Sequence, residues 1–119
     1  MKRVLVVEDN ATNLYLIRFI LENNGYSVFD TGDGERAISM AVEEMPDLII
    51  MDVQLPDING LEATKMIRAS GADGTIPIIA LTSYAMPGDR EKALEAGCTG
   101  YMEKPINPDT FIDEISKYL

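Results

Sequence analysis

The stretch Asp47-Leu48-Ile49-Ile50-Met51-Asp52-Val53-Gln54-Leu55-Pro56 decides the fold. Its apolar part, Leu48 to Met51, is short and uninterrupted and ends at a carboxylate, the pattern of a strand buried on both faces by covering helices. Working outward, Val4 to Val7 and Ile78 to Leu81 repeat it, each bounded by polar or turn residues. Ser27 to Thr31 and Gly100 to Glu103 are weaker runs that complete a series of five.

Between the runs the apolar spacing changes to that of helices. Leu14, Ile17 and Leu21 mark one face of a first helix, stopped by Asn24-Gly25. Ala37, Ile38, Ala41 and Val42 mark a second; Leu61, Thr64, Lys65 and Arg68 suggest a third with a more solvated face. Asp89 to Ala96, closed by Gly97, is a fourth. Asn107-Pro108 is a cap followed by a first-turn proline, opening a fifth helix with Phe111, Ile112 and Ile115 facing inward. The strand-then-helix unit recurs roughly every 20 to 25 residues, which predicts an α/β fold: a doubly wound, five-stranded parallel sheet with helices on both faces.

The chain has 119 residues, enough for one domain with a real core, and nothing in it marks an internal boundary. Ten Lys and Arg against twenty Asp and Glu give a net charge of −10, a field that repels phosphate backbones and anionic membranes. The expected partners therefore include neither nucleic acid nor membrane. No apolar stretch approaches the ~20 residues of a membrane span, and Lys2-Arg3 precede too few apolar residues for a signal peptide, so the expected location is cytoplasmic. The single cysteine, Cys98, cannot form an internal disulfide, and without any histidine, triads or metal sites that need imidazole are excluded. A metal bound here would be hard and held by oxygen.

In an open parallel sheet, ligands bind beyond the carboxyl ends of the strands, near the point where strand order reverses. The residues that follow the runs are Glu8 and Asp9, Asp52, Thr82 and Ser83, and Lys104 and Pro105. Taken singly, acids and hydroxyls in such loops are ordinary caps and solvated groups. Together they are harder to place, because three carboxylates forced into one site raise each other's proton affinity unless a cation intervenes. Mg²⁺ takes oxygen ligands, uses few carboxylates and keeps several waters. Beside it, an Asp nucleophile able to form an acyl phosphate and a Lys opposite are the equipment of phosphoryl transfer. Asp52 is the best nucleophile candidate, because the most apolar strand places it at the centre of the sheet. Glu8 and Asp9 are then the metal-side acids and Lys104 the counter-cation.

Five segments carry a family resemblance: Val6-Val7-Glu8-Asp9-Asn10, Met51 through Pro56, Asn59-Gly60, Leu81-Thr82-Ser83, and Tyr101-Met102-Glu103-Lys104-Pro105. In this order and spacing the chain resembles the receiver domain of two-component response regulators over essentially its whole length, 1–119. The resemblance implies a flavodoxin-like (βα)5 fold with strand order 2-1-3-4-5. It implies Asp52 as phospho-acceptor, Glu8 and Asp9 as the acidic metal pair, and Gln54 as donor of a backbone carbonyl to Mg²⁺. It further implies Thr82 as the hydroxyl that moves toward the phosphoryl group, Lys104 as the family's invariant amine, Tyr101 as the aromatic that swings inward with Thr82, and a cis peptide before Pro105. Leu55 stands where many members have Met; Gln54 and Tyr84 match positions that tune acyl-phosphate hydrolysis. The run Thr82 to Met86 is similar to stand-alone receivers of cell-fate control and to receivers attached to hybrid kinases.

The expected function is thus a phospho-acceptor switch in a phosphorelay, taking its phosphoryl group from a sensor histidine kinase or histidine phosphotransfer protein and altering a surface for a downstream protein. It would be a stand-alone regulator without an output domain, and no enzyme beyond its own phosphorylation and dephosphorylation. The alternative is an Asp-nucleophile phosphatase acting on external substrates; such enzymes want a second Asp two residues after the nucleophile, where this chain has Gln54. A flavodoxin-like cofactor binder would need N–H donors after the first strand, where Glu8-Asp9 repels phosphate. Gly32-Asp33-Gly34-Glu35-Arg36-Ala37 has the letters of a dinucleotide fingerprint, but its acids favour a simple turn and cap. Met40, Met45, Met51 and Met66 are expected as core filler, Cys98 as a partly buried inert thiol. Tyr15, Ile17 and Arg18 form either part of a kinase docking face or ordinary packing.

Overall fold

The computed structural model describes residues 1–70, 76–83 and 86–119. The strands are β1 (Arg3–Val7), β2 (Ser27–Thr31), β3 (Leu48–Asp52), β4 (Ile78–Thr82) and β5 (Gly100–Glu103). They alternate with α1 (Ala11–Asn23), α2 (Gly34–Glu44), α3 (Gly60–Ala69), α4 (Asp89–Ala96) and α5 (Pro108–Ser116). All neighbouring strands pair parallel, in the order β2-β1-β3-β4-β5. The strand order reverses between β1 and β3, and the loops after those two strands carry Glu8, Asp9 and Gln54.

Alternation along each strand divides the core. Val4, Val6, Leu48, Ile50, Ile79 and Leu81 point to the face covered by α1 and α5, where they meet Ile17, Leu21, Phe111 and Ile115. Leu5, Val7, Ile49, Met51, Ile78 and Ala80 point to the other face, against Ala37 and Ala41 of α2, Ala63 and Ile67 of α3, and Ala93 of α4. Every residue of β3 and β4 is buried, whereas most of β2 and β5 is only partly so, which is why the two edge strands are weak in the sequence.

The helix ends follow local chemistry. Asn10, Asn59 and Asn107 cap α1, α3 and α5, each side chain accepting a backbone N–H of the first turn. At the end of α1 the Tyr26 N–H donates back to Leu21 O at 3.1 Å, and the turn passes through Gly25 at φ +86°, a left-handed conformation that glycine adopts freely.

Some expectations need correction. Val42 is 41% exposed, so the inward stripe of α2 is Ala37 and Ala41 with Ile38 and Met40 half-buried. In α3 Thr64 is fully buried, its hydroxyl donating to Gly60 O at 2.9 Å, and the inward residues are Ala63, Thr64 and Ile67. Met45 and Met66 are exposed; of the four methionines named above, Met51 is core and Met40 half-buried. Cys98 is buried, and burial pushes its thiol upward, away from the reactive thiolate. Asp33 precedes α2 without capping it through its side chain; the cap comes from elsewhere.

Candidate functional site

Parallel pairing brings the ends of β1, β3, β4 and β5 to one edge, and the residues there build a site. Glu8 leaves β1 with its N–H donated to Thr31 O at 3.0 Å, which anchors the turn. Asp52 and Thr82 are the last residues of β3 and β4, and Glu8, Asp52 and Thr82 are all buried. Lys104 is held beside them by its N–H donating to Thr82 O at 2.8 Å, and the Lys104–Pro105 peptide is cis. Its long side chain crosses back so that Nζ lies 2.6 Å from Glu8 Oε1 and 3.3 Å from Asp52 Oδ2. Carboxylate oxygens of Glu8, Asp9 and Asp52 lie within 4.8 Å of one another.

The electrostatics of this cluster are unbalanced. Glu8 Oε1 faces the ammonium without hydrogen-bond geometry and Glu8 Oε2 has no partner among the described residues, although both are buried. Burial, and then the neighbouring Asp52 carboxyl, raise the Glu8 carboxyl to about 7, against the pull of Lys104. Two buried carboxyls share one cation, Lys104. A hard divalent cation would supply the charge that this pairing lacks, and the orphaned oxygen would become a ligand. The acidic set therefore suits a metal ion, with Asp9 exposed at the mouth to admit it.

On the other side of Asp52, Gln54 does what its position in the sequence did not disclose. Its N–H donates to Asp52 Oδ1 at 3.1 Å, its side-chain Nε2 donates to Thr82 Oγ1 at 2.9 Å, and its Oε1 accepts the Ser83 N–H at 3.3 Å. The amide thus bridges the loops after β3 and β4. A cavity of about 260 Å³ lies beyond, lined by Gln54, Asn59, Thr82, Asp89, Lys92 and Tyr101. The Tyr101 hydroxyl is buried without a partner among the described residues; burial, with Asp89 and Glu103 behind it, pushes its pKa up. Glu8, Asp9, Asp52, Gln54, Thr82 and Lys104 are brought together as the sequence suggested, with Tyr101 at the rim; Tyr84 lies outside the described residues. On α1, Ile17 is core and Arg18 is paired with Asp30, leaving only Tyr15 exposed, stacked on Phe19.

The sequence profile of the response regulator receiver domain matches residues 4–116. The chain belongs to the response regulator receiver domain family. Polar-differentiation response regulators DivK of Brucella anthropi and Brucella ovis are each 44% identical to it over 118 residues, covering 99% of this chain and 96% of theirs. Among solved structures, the chemotaxis protein CheY4 of Vibrio cholerae superposes with a TM-score of 0.93 at 31% identity, covering 100% of this chain and 99% of that one. The receiver domain of the sensor histidine kinase PA1611 of Pseudomonas aeruginosa, solved with a magnesium ion coordinated in its active-site cleft, gives 0.91 at 38% identity, with 98% and 96% covered. This receiver domain is a phosphoryl-accepting signalling switch of the two-component type. No helix among its described residues is long and apolar enough to cross a membrane.

Proposed function

We propose that Asp52 is the phospho-acceptor of this receiver and that Glu8, Asp9, Asp52 and the Gln54 backbone carbonyl hold Mg²⁺. The observation that carries the reading is a buried carboxylate, Asp52, with a lysine 3.3 Å from one oxygen and oxygens of two further acids, Glu8 and Asp9, within 4.8 Å. Bound there, Mg²⁺ supplies positive charge against the negative charge that develops on the transferring phosphoryl oxygens. One Asp52 oxygen attacks the phosphorus of a phosphohistidine; the O–P bond forms as the N–P bond breaks, and the imidazole leaves and takes a proton from solvent. The chain contains no histidine, so the donor is another protein, a sensor histidine kinase or a histidine phosphotransfer protein, or a small acyl phosphate. Lys104 exchanges part of its pairing with Glu8 for the new phosphoryl oxygens.

Thr82 is the readout. Its hydroxyl is held by Gln54 in this structure, and a phosphoryl group on Asp52 offers it a stronger, charged acceptor. Thr82 moving away from Gln54 opens room along the cavity for the Tyr101 ring, and the surface of α4, β5 and α5 changes for a downstream protein.

Incubation with acetyl phosphate and Mg²⁺ should add the mass of one phosphoryl group, removable by hydroxylamine, and Asp52→Asn should abolish it. An adduct that persists in Asp52→Asn would overturn the assignment.

A further inference from the structure

The carboxylate that caps α2 comes from the loop after β3, not from the chain next to the helix. Asp57 Oδ1 accepts the Gly34 N–H and Oδ2 the Glu35 N–H, both at 2.9 Å, across 23 and 22 residues of sequence. The same loop presses its apolar side on the same helix end: a Cβ on Gly34 would lie 2.6 Å from Ile58 Cγ1 and 3.3 Å from Leu55 Cδ1. At its base the loop is pinned under the strand, with the Gly60 N–H donating to Val53 O at 2.9 Å. The segment leading into α2 runs beside the opposite wall of the acidic site: a Cβ on Gly32 would be 3.5 Å from Asp9 Cα. The start of α2 therefore lies between both walls, near Asp9 at Gly32 and bonded to the Gln54 loop through Asp57.

We propose that Asp57 is a positioning residue: by clamping the β3–α3 loop to the N-terminus of α2, it fixes the Gln54 backbone opposite Asp9 and so sets the spacing of the metal site. This inference rests on the Mg²⁺ site proposed above. The clamp is a two-point, charge-assisted contact at the positive end of a helix, so it fixes direction as well as distance. Neither Leu55 nor Ile58 does so, because apolar contacts leave the loop free to slide.

The test is Mg²⁺ binding measured by calorimetry on the full chain, with thermal unfolding alongside. Wild type should bind; Asp57→Ala should weaken Mg²⁺ roughly tenfold, the low end of what groups that orient metal ligands are worth. Ile115→Val, which loosens the opposite face of the sheet, should lower the melting temperature and leave the affinity unchanged. If Asp57→Ala lowers only the melting temperature and binds Mg²⁺ as wild type does, the clamp is structural and the inference is overturned. If wild type does not bind Mg²⁺, the metal site and the inference fail together. Should Asp57→Ala not fold, Asp57→Asn keeps one acceptor oxygen and is read by the same two outcomes.

Discussion

Glu8 is the residue whose chemistry is least settled by its neighbours. Its carboxyl, raised from 4.5 to about 7, binds a proton more tightly in the folded chain than in the unfolded one. In metal-free protein this contribution to stability is fully present below pH 4.5 and is lost as pH rises toward 7, a loss on the order of 3 kcal/mol. Mg²⁺ works in the opposite sense, because it must displace that proton. Its affinity should fall as pH drops from 8 to 6, and Glu8→Gln should remove most of that pH dependence along with much of the affinity; calorimetry across the range measures both. The residue types of the site were legible, since Glu8, Asp9, Asp52, Thr82 and Lys104 all stand directly at strand ends. The side-chain contacts of Gln54 with Thr82 and of Asp57 with the start of α2 were not, because an amide and a carboxylate in a loop give no sign of what they will reach across space.

At the scale of elements, the approach of α3 to β3 is set by one missing side chain. A Cβ on Gly60 would lie 2.1 Å from the Asp52 carbonyl oxygen, and that oxygen belongs to a strand paired on both sides and cannot yield. Gly60→Ala should cost about 3 kcal/mol or more in urea unfolding, at or beyond the upper end of ordinary overpacking. It should also slow phosphoryl uptake from acetyl phosphate, since the shift falls on the residue proposed to be phosphorylated. Periodicity located every element here, and the strand boundaries moved by a single residue at most. What it misjudged were inward faces: Val42 is exposed and Thr64 buried, because helix–helix contacts and a hydroxyl's bond to Gly60 O decide those positions, not apolarity.

Across the whole molecule, the charge of −10 surrounds a site that already gathers three acids, so a bound divalent cation relieves repulsion as well as filling a ligand set. Mg²⁺ at ~100 times its dissociation constant should raise unfolding free energy by about 2.7 kcal/mol. Asp9→Asn should abolish most of that gain at little cost to the metal-free fold, since Asp9 is exposed; urea unfolding with and without Mg²⁺ checks both. The exposed Tyr15–Phe19 stack and the solvent-facing Met45 and Met66 show that apolar character off the helices' inward stripes was a poor guide to the core, whereas the stripe residues Ile17, Leu21, Phe111 and Ile115 are all buried.

The sequence by itself determined the alternation of strands and helices, the parallel sheet and the identity of the groups at its carboxyl edge, because these depend on local periodicity and on where each apolar run stops. Tertiary structure alone decided which oxygen of Glu8 is left unpartnered, that Gln54 holds Thr82, and that α2 takes its cap from Asp57. Those contacts join residues 22 to 96 positions apart, and their geometry exists only once the sheet has set the distances between loops.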